Sequence, residues 1–161
     1  MIYCPPEFPR ASEPLIFLAG PIQGAPDWHS KAIGLLDGYP IASPKRPDDS
    51  WKFDFEAQVD WESKCLEQAA RTGCILFWLA KEETHHPDRA YAQTTRFELA
   101  EWITRKRYRV VIGIEPGFSG ERYIRHRMLD HSNWHIFGTL EETCQEAKIR
   151  FDLARKTPIW E

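Results

Sequence analysis

Short apolar runs alternate along the chain with longer segments in which apolar residues recur at helical spacing. Residues 15–19, 74–79 and 109–114 form apolar runs that predict strands buried on both faces of a sheet. Weaker extended segments at 41–43 and 134–137 bring the predicted strands to five. The intervening segments predict helices at 28–36, 55–71, 94 or 95 to 106, 121–129 and 140–154.

This alternation predicts one α/β domain over residues 15–161. Helices that connect successive strands require right-handed crossovers, which favour a mainly parallel sheet covered on both faces. Five such strands indicate a flavodoxin-like three-layer sandwich, in which ligands bind beyond the carboxyl ends of the strands. Residues 1–14 contain four prolines and predict an extended, irregular lead-in that precedes the fold proper.

Composition and charge exclude several classes of partner. The net charge of −3 provides no basic field for the backbone of a nucleic acid polymer. No apolar run approaches the roughly 20 residues that a membrane-spanning helix needs. The four cysteines are scattered without a CxxC pair, and the chain does not open with an apolar signal stretch, so we expect a cytoplasmic protein.

The loop after the first predicted strand reads Gly20-Pro21-Ile22-Gln23-Gly24-Ala25-Pro26. Its glycines would let a ligand approach the backbone N–H groups closely. The spacing matches neither the dinucleotide-binding fingerprint nor the phosphate-binding loop with its lysine. A plain structural turn explains the same residues, so the loop alone does not predict a function.

Glu98 lies in the predicted first turn of a helix that begins at the binding edge of the sheet. Thr95 and Glu98 have the spacing of a capping box, in which the glutamate would bond the backbone amide of the N-cap residue. The alternative is catalysis, because the positive end of a helix favours an ionised carboxylate, which can attack an anomeric carbon. The spacing agrees with both interpretations.

A second pair of acids, Asp60 and Glu62, lies within the predicted helix 55–71. Asp60 is four residues from Lys64 and can form a solvent-exposed ion pair with it. The alternative is that Asp60 or Glu62 points to the sheet edge, where it would hold a base or donate a proton to the leaving group. The spacing does not decide between these alternatives.

Histidines and arginines cluster in the second half of the chain. His126, His131 and His135, together with His85 and His86, match no standard zinc spacing, and no cysteine lies near enough to complete a site, so the sequence predicts neither a metal nor a cofactor. Arg125 and its neighbours form a short basic stretch that would contact a phosphate, a neighbouring subunit or solvent.

Five segments in this order resemble the nucleoside 2-deoxyribosyltransferase-like family over about residues 15–130. They read FLAGPIQG at 17–24, DWE at 60–62, ILFWL at 75–79, TRFEL at 95–99 and GIE-x-GF at 113–118. The chain departs from the family pattern at 70–73, where it reads Ala-Arg-Thr-Gly and many members carry an Ala-Asp pair.

The resemblance implies a retaining double displacement at C1′ of deoxyribose, in which Glu98 matches the attacking glutamate. It implies that a loop shapes the sugar site and that Asp60 or Glu62 contacts base or sugar. The substrates would be a nucleoside or nucleotide and a free nucleobase. The resemblance also implies a homodimer or larger homo-oligomer, with a contact within 118–127. The residues of the sugar loop are Gly20, Pro21, Ile22 and Gln23.

Two other functions remain open. A hydrolase of nucleoside 5′-monophosphates would need phosphate-binding groups, for which Thr94, Thr95, Arg96 and Ser119 are the candidates. A non-catalytic module could keep the fold and bind a nucleotide or a protein, since fold does not determine function.

Overall fold

The computed structural model describes residues 1–46, 54–129 and 134–156. Six strands and five helices alternate along most of this length. The strands are β1 (Ile2–Tyr3), β2 (Ile16–Ala19), β3 (Ile41–Ala42), β4 (Cys74–Leu79), β5 (Val110–Ile114) and β6 (Ile136–Phe137). The helices are α1 (Trp28–Leu35), α2 (Phe55–Thr72), α3 (Gln93–Arg105), α4 (Glu121–Leu129) and α5 (Leu140–Lys156), with a short 3-10 helix at Arg107–Arg109.

All paired strands run parallel in one sheet of order β1-β3-β2-β4-β5-β6. Without β1, this is the flavodoxin-like order, so the predicted fold class is confirmed. The strand order reverses between β2 and β4, where Ile16 pairs with Cys74 and Ala19 with Phe77. A ligand is therefore expected beyond Ala19 and Leu79, where these two strands end.

Two apolar layers cover the sheet, one on each face. Helices α2, α3 and α4 supply Trp61, Trp102 and Met128 to one layer. Helices α1 and α5 supply Trp28 and Phe151 to the other. Strand side chains alternate between the two layers, which explains why the central strands are apolar without interruption.

The prediction of five strands was wrong, because the proline-rich lead-in adds an edge strand. Strand β1 pairs with β3, and the backbone N–H of Ser43 donates to the carbonyl of Tyr3 over 2.9 Å. Further along the lead-in, the indole of Trp61 donates to the carbonyl of Glu7 over 2.7 Å. The pairing residues precede the prolines, so the missing proline donors do not prevent the strand. No helix in the described ranges is both long and apolar enough to cross a membrane.

Candidate active site

A cavity of about 740 Å³ opens at the reversal point of the sheet. Its walls come from the loop after β2, the end of β3, one face of α2, the loop after β4 and the start of α3. Chain segments that are distant in sequence therefore meet where parallel α/β sheets bind ligands.

The structure brings most of the predicted site residues to this cavity. The loop after β2, the carboxyl of Glu62 and the start of α3 all line it. The predicted residues that line it are Gly20, Pro21, Ile22, Gln23, Glu62, Thr94, Thr95 and Glu98.

Two predicted residues lie elsewhere. Asp60 is exposed on α2 and is absent from the cavity lining. Because a helix turns through about 100° per residue, Asp60 and Glu62 are about 200° apart and cannot both face the cavity. Ser119 is exposed after β5, and its carbonyl accepts from Nη2 of Arg96 over 2.6 Å. Arg96 also lies over the ring of Phe118 at 4.6 Å, away from the cavity.

Several cavity residues were not predicted from the sequence. Most of them lie on the loops after β3 and β4, and the others lie on α2 and α3. None belongs to a recognised motif, so only the position of the loops at the ends of strands could have indicated the loop residues. The unpredicted polar residues are Lys45, Arg46, Gln58, Glu82, His86, Arg89, Tyr91 and Gln93.

The predicted N-cap of α3 was wrong. The helix begins at Gln93, after Ala92 in a left-handed conformation with φ of 54° and without a side-chain cap. The backbone N–H of Arg96 already bonds the carbonyl of Ala92 over 3.0 Å, so Thr95 lies inside the helix. Glu98 consequently lies in the second turn of α3, and the capping-box interpretation does not apply to it.

Glu98 is held in an environment that disfavours its charge. Burial, together with the negative charges of Glu62 and Glu101, raises the pKa of Glu98 from 4.5 to about 8. The expectation that the helix N-terminus keeps Glu98 ionised at neutral pH was therefore wrong. The helix dipole acts mainly on the first turn, whereas burial and two neighbouring acids act directly on this carboxyl.

Glu62 shares the cavity with Glu98. Burial raises the pKa of Glu62, while Gln58 opposes this shift by donating Nε2 to Oε1 of Glu62 over 2.7 Å. The same amide nitrogen lies 3.3 Å from the carbonyl of Pro44, which fixes the Gln58 side chain. With the pKa of Glu98 at about 8, at least one proton remains on this pair of carboxyls near neutral pH.

The charge of Glu98 is expected to make stability depend on pH. The pKa of Glu98 is raised from 4.5 to about 8 in the folded protein, so Glu98 ionises at lower pH in the unfolded chain than in the folded one. The free energy of unfolding therefore falls as pH rises from 4.5 to about 8. We expect Glu98→Gln to raise the melting temperature above that of the parent, with a difference that widens from pH 5 to pH 8. Melting curves by circular dichroism at several pH values measure this difference.

The matched control is Asp60→Asn, which removes an exposed acid that lies outside the cavity lining. Surface substitutions of this kind change stability by about 0.5 kcal/mol or less, so the control should shift the melting temperature little at any pH. Parallel curves for the parent and Glu98→Gln across pH 5 to 8 would show that Glu98 titrates normally.

Residues 13–118 match the profile of the family described as nucleoside 2-deoxyribosyltransferase like. The chain belongs to this family. A comparison with curated proteins gives no match.

The first loop of this nucleoside 2-deoxyribosyltransferase-like domain is fixed by its own contacts. Trp28 donates its indole N–H to the carbonyl of Pro21 over 2.7 Å. Gly24 has φ of 80°, and its carbonyl accepts from the backbone N–H groups of Glu83 and Thr84 at 2.8 and 3.1 Å. These bonds join the loop after β2 to the loop after β4, so the two walls of the cavity are held together.

Gly20 is the position in this loop where a side chain is least tolerated. A Cβ there would lie 2.4 Å from the carbonyl oxygen of Trp78 and 2.6 Å from the ring of Trp28. We expect Gly20→Ala to destabilise the domain by about 1 to 3 kcal/mol, as overpacking does. Chemical denaturation measures the change.

Gly34 is the matched control. It lies in α1, and a Cβ there would meet nothing within 4 Å. Gly34→Ala is therefore expected to be neutral or to stabilise the domain by about 0.5 to 1 kcal/mol. Equal free energies of unfolding for Gly20→Ala and the parent would show that the loop adjusts easily.

Arg125, His126 and His135 do not line the cavity. Nε of Arg125 donates to Oε1 of Glu121 over 2.8 Å, and its Nη2 donates to the carbonyl of Ile114 over 3.2 Å. Arg125 therefore links α4 to the end of β5. His131 falls outside the described residues. Within the described parts of the chain, no group of three acids, histidines or cysteines is arranged to hold a metal ion.

Proposed function

We propose that this protein transfers 2-deoxyribose between nucleobases through a covalent intermediate on Glu98. The observation that carries the proposal is that Glu98 and Glu62 line one cavity at the reversal point of the sheet. Family membership supports a nucleoside and a nucleobase as substrates. The cavity of about 740 Å³ is in the size range that small-molecule sites occupy.

The first step breaks the N-glycosidic bond. A carboxylate oxygen of Glu98 forms a bond to C1′, while the electron pair of the C1′–N bond passes to the departing base. Glu62 supplies the proton that neutralises the base, with Gln58 positioning its carboxyl through the 2.7 Å bond. This step requires the proton of the pair to be on Glu62 and Glu98 to be ionised when it attacks.

The second step returns the sugar to a base. A nitrogen of the incoming base attacks C1′, the ester bond to Glu98 breaks, and its electron pair returns to Glu98. The N–H proton of the incoming base passes to Glu62, which restores the starting state. Two displacements at C1′ retain the anomeric configuration. Water in place of the second base would give hydrolysis by the same residues.

The loop Gly20 to Gln23 is proposed to contact the sugar. Gly20 packs closely against the carbonyl of Trp78 and the ring of Trp28, which holds this loop beside β4 at the wall of the cavity. The loop forms the wall of the cavity that faces α2 and α3, from which Glu62 and Glu98 project.

We also propose that the protein forms a homo-oligomer through the face between α3 and α4. A groove of about 720 Å³ on this face is lined mainly by apolar atoms, including those of Ile103, Ile124 and Met128. Tyr123 beside it is 71% exposed. Light scattering after size exclusion would measure the mass of the assembly.

All four cysteines are free thiols, which supports a reducing, cytoplasmic location.

The proposed activity is tested by base exchange. Purified protein is incubated with a deoxynucleoside and a different free base, and the products are separated by chromatography. A swapped deoxynucleoside that is missing with Glu98→Gln supports transfer through Glu98. Free base without a swapped product would instead indicate a hydrolase, and no product across several bases would indicate a non-catalytic binding module.

A further inference from the structure

The lead-in at residues 1–12 precedes the stretch that matches the family, which begins at residue 13. It forms the edge strand β1, and its residues Tyr3, Pro5 and Pro9 are buried. Its carbonyl groups accept hydrogen bonds from two other parts of the fold, the end of β3 and helix α2. Both of these parts supply walls of the cavity, whereas residues 1–12 do not line it.

The first connection runs from the lead-in to α2 through Trp61. The indole N–H of Trp61 donates to the carbonyl of Glu7 over 2.7 Å. The indole ring also packs against Phe8 of the lead-in and Phe17 of β2, with ring centroids 6.5 and 6.2 Å apart. Glu62 follows Trp61 directly in the helix, so the contacts that fix the indole also fix the direction in which Glu62 projects.

A second bond holds the same helix further along. Gln68 is buried, and its Nε2 donates to the carbonyl of Arg10 over 2.7 Å. Trp61 and Gln68 lie about two turns apart on the same side of α2. Two bonds on one side of a helix oppose both its rotation and its sliding along its axis. The lead-in therefore determines where α2 places Glu62.

The second connection runs from the lead-in through the end of β3. The backbone N–H of Ser43 donates to the carbonyl of Tyr3 over 2.9 Å. The carbonyl of the next residue, Pro44, accepts from Nε2 of Gln58 over 3.3 Å, and the same nitrogen donates to Glu62 over 2.7 Å. Oε1 of Gln58 is buried and bonds none of the described residues. Turning the amide over would bring this oxygen against two other oxygens, so the two donations fix its orientation.

We propose that residues 1–12 are a positioning segment for the reaction, because both connections from them end at Glu62. This inference rests on the proposed function, in which Glu62 protonates the departing base. A general acid acts only within hydrogen-bond reach of the atom that it protonates, so a small displacement of Glu62 weakens this step strongly. None of the bonds above reaches α3, which carries Glu98. Loosening the lead-in therefore weakens protonation of the base and leaves the attack on C1′ nearly unchanged.

The test compares two substrates on variants of the full chain. Phe8→Ala removes a ring that is 50% exposed and packs on Trp61, and Trp61→Phe removes the indole N–H that bonds Glu7. Each should lower kcat/KM for an ordinary purine deoxynucleoside about tenfold or more, because misplacing a reacting group by about 1 Å costs about a hundredfold. For a purine deoxynucleoside methylated at N7, whose base leaves without receiving a proton, the loss should be less than about threefold.

Two controls separate positioning from a general loss of packing. Phe8→Tyr keeps the ring and should retain the kcat/KM of the parent on both substrates. Trp102 is buried in the same apolar layer, and its indole nitrogen bonds none of the described residues. Trp102→Phe should therefore change kcat/KM for the two substrates by the same factor. If Phe8→Ala and Trp61→Phe also give equal losses on both substrates, or no loss, the inference is overturned.

Amide hydrogen exchange, measured by mass spectrometry, provides a readout that does not depend on turnover. Phe8→Ala should accelerate exchange at residues 58–62 of α2 and leave α3 at the rate of the parent, because local opening follows the loss of local contacts. This result in a parent protein that releases no base from either substrate would support the positioning of Glu62 by the lead-in and overturn the proposed function. Unchanged exchange at residues 58–62 in a parent protein that exchanges bases would overturn the inference while the proposed function stands.

Discussion

Glu98→Gln is expected to reduce base release and base exchange by about a thousandfold or more, as the loss of a covalent nucleophile does. Glutamine has nearly the same shape, so it fills the same position in α3, but its amide cannot form the ester with C1′. Glu98 lines the cavity and lies near enough to Glu62 for that charge to raise its pKa. Product formation by chromatography, at saturating and limiting substrate, measures the loss in kcat and kcat/KM.

The covalent step can be observed directly. A deoxynucleoside with fluorine at C2′ slows both displacements by destabilising positive charge at C1′, so the glycosyl ester should accumulate. Mass spectrometry of the intact protein should then show the added sugar, and peptide mapping should place it on Glu98. An adduct on Glu62 would reverse the proposed roles of the two acids.

Asp60→Asn is the matched control for these measurements. Asp60 lies on the same helix as Glu62 but is exposed and outside the cavity lining. We expect its substitution to change kcat/KM less than about threefold, since surface substitutions away from a site have small effects. A loss of kcat/KM as large as that of Glu98→Gln would show that Asp60 takes part in the reaction.

Glu62→Gln is expected to lower kcat/KM by about a hundredfold to ten-thousandfold, the range typical of general acid catalysis. Glutamine keeps the contact with Gln58 but cannot protonate the departing base. A purine deoxynucleoside methylated at N7 tests this role, because its base leaves as a neutral molecule without receiving a proton. The variant should therefore recover most of the parent activity on that substrate. An equal loss on both substrates would contradict the assignment of Glu62 as the acid.

The pH dependence provides an independent check of the shared proton. Activity requires one proton on the pair, with Glu98 ionised and Glu62 protonated at the moment of attack. Because the pKa of Glu98 is raised to about 8, the last proton leaves the pair as pH rises through that value, and kcat/KM should fall. Glu62→Gln should lack this fall. A parent profile that rises through pH 8 would mean that only the ionised form of Glu98 matters.

Local patterns were sufficient for the fold class, and the family resemblance added Glu98 as the candidate nucleophile. Continuous apolar runs predicted β2, β4 and β5, because strands buried on both faces need apolar residues at every position. The parallel order then placed the loop after Ala19 and the start of α3 at one edge of the sheet. Glu98 was found because it lies in a segment that resembles the family and follows β4.

Local patterns were insufficient for the helix start and for the choice between Asp60 and Glu62. Thr95 has a suitable side chain for a cap, but the left-handed Ala92 begins the helix earlier. Asp60 and Glu62 differ by two residues, and only the packing of Trp61 between them decides which faces the cavity. That indole is buried and bonds Glu7, which fixes the rotation of α2.

The sequence by itself determined the alternation of strands and helices, since this follows from side-chain periodicity and chain order, and it indicated Glu98 through the resemblance to the family. Only the tertiary structure decided that Ile2–Tyr3 joins the sheet, that Arg89 lines the same cavity as the acids and that the pKa of Glu98 rises. A two-residue strand has no periodicity of its own, and burial and charge depend on neighbours that are distant in the chain.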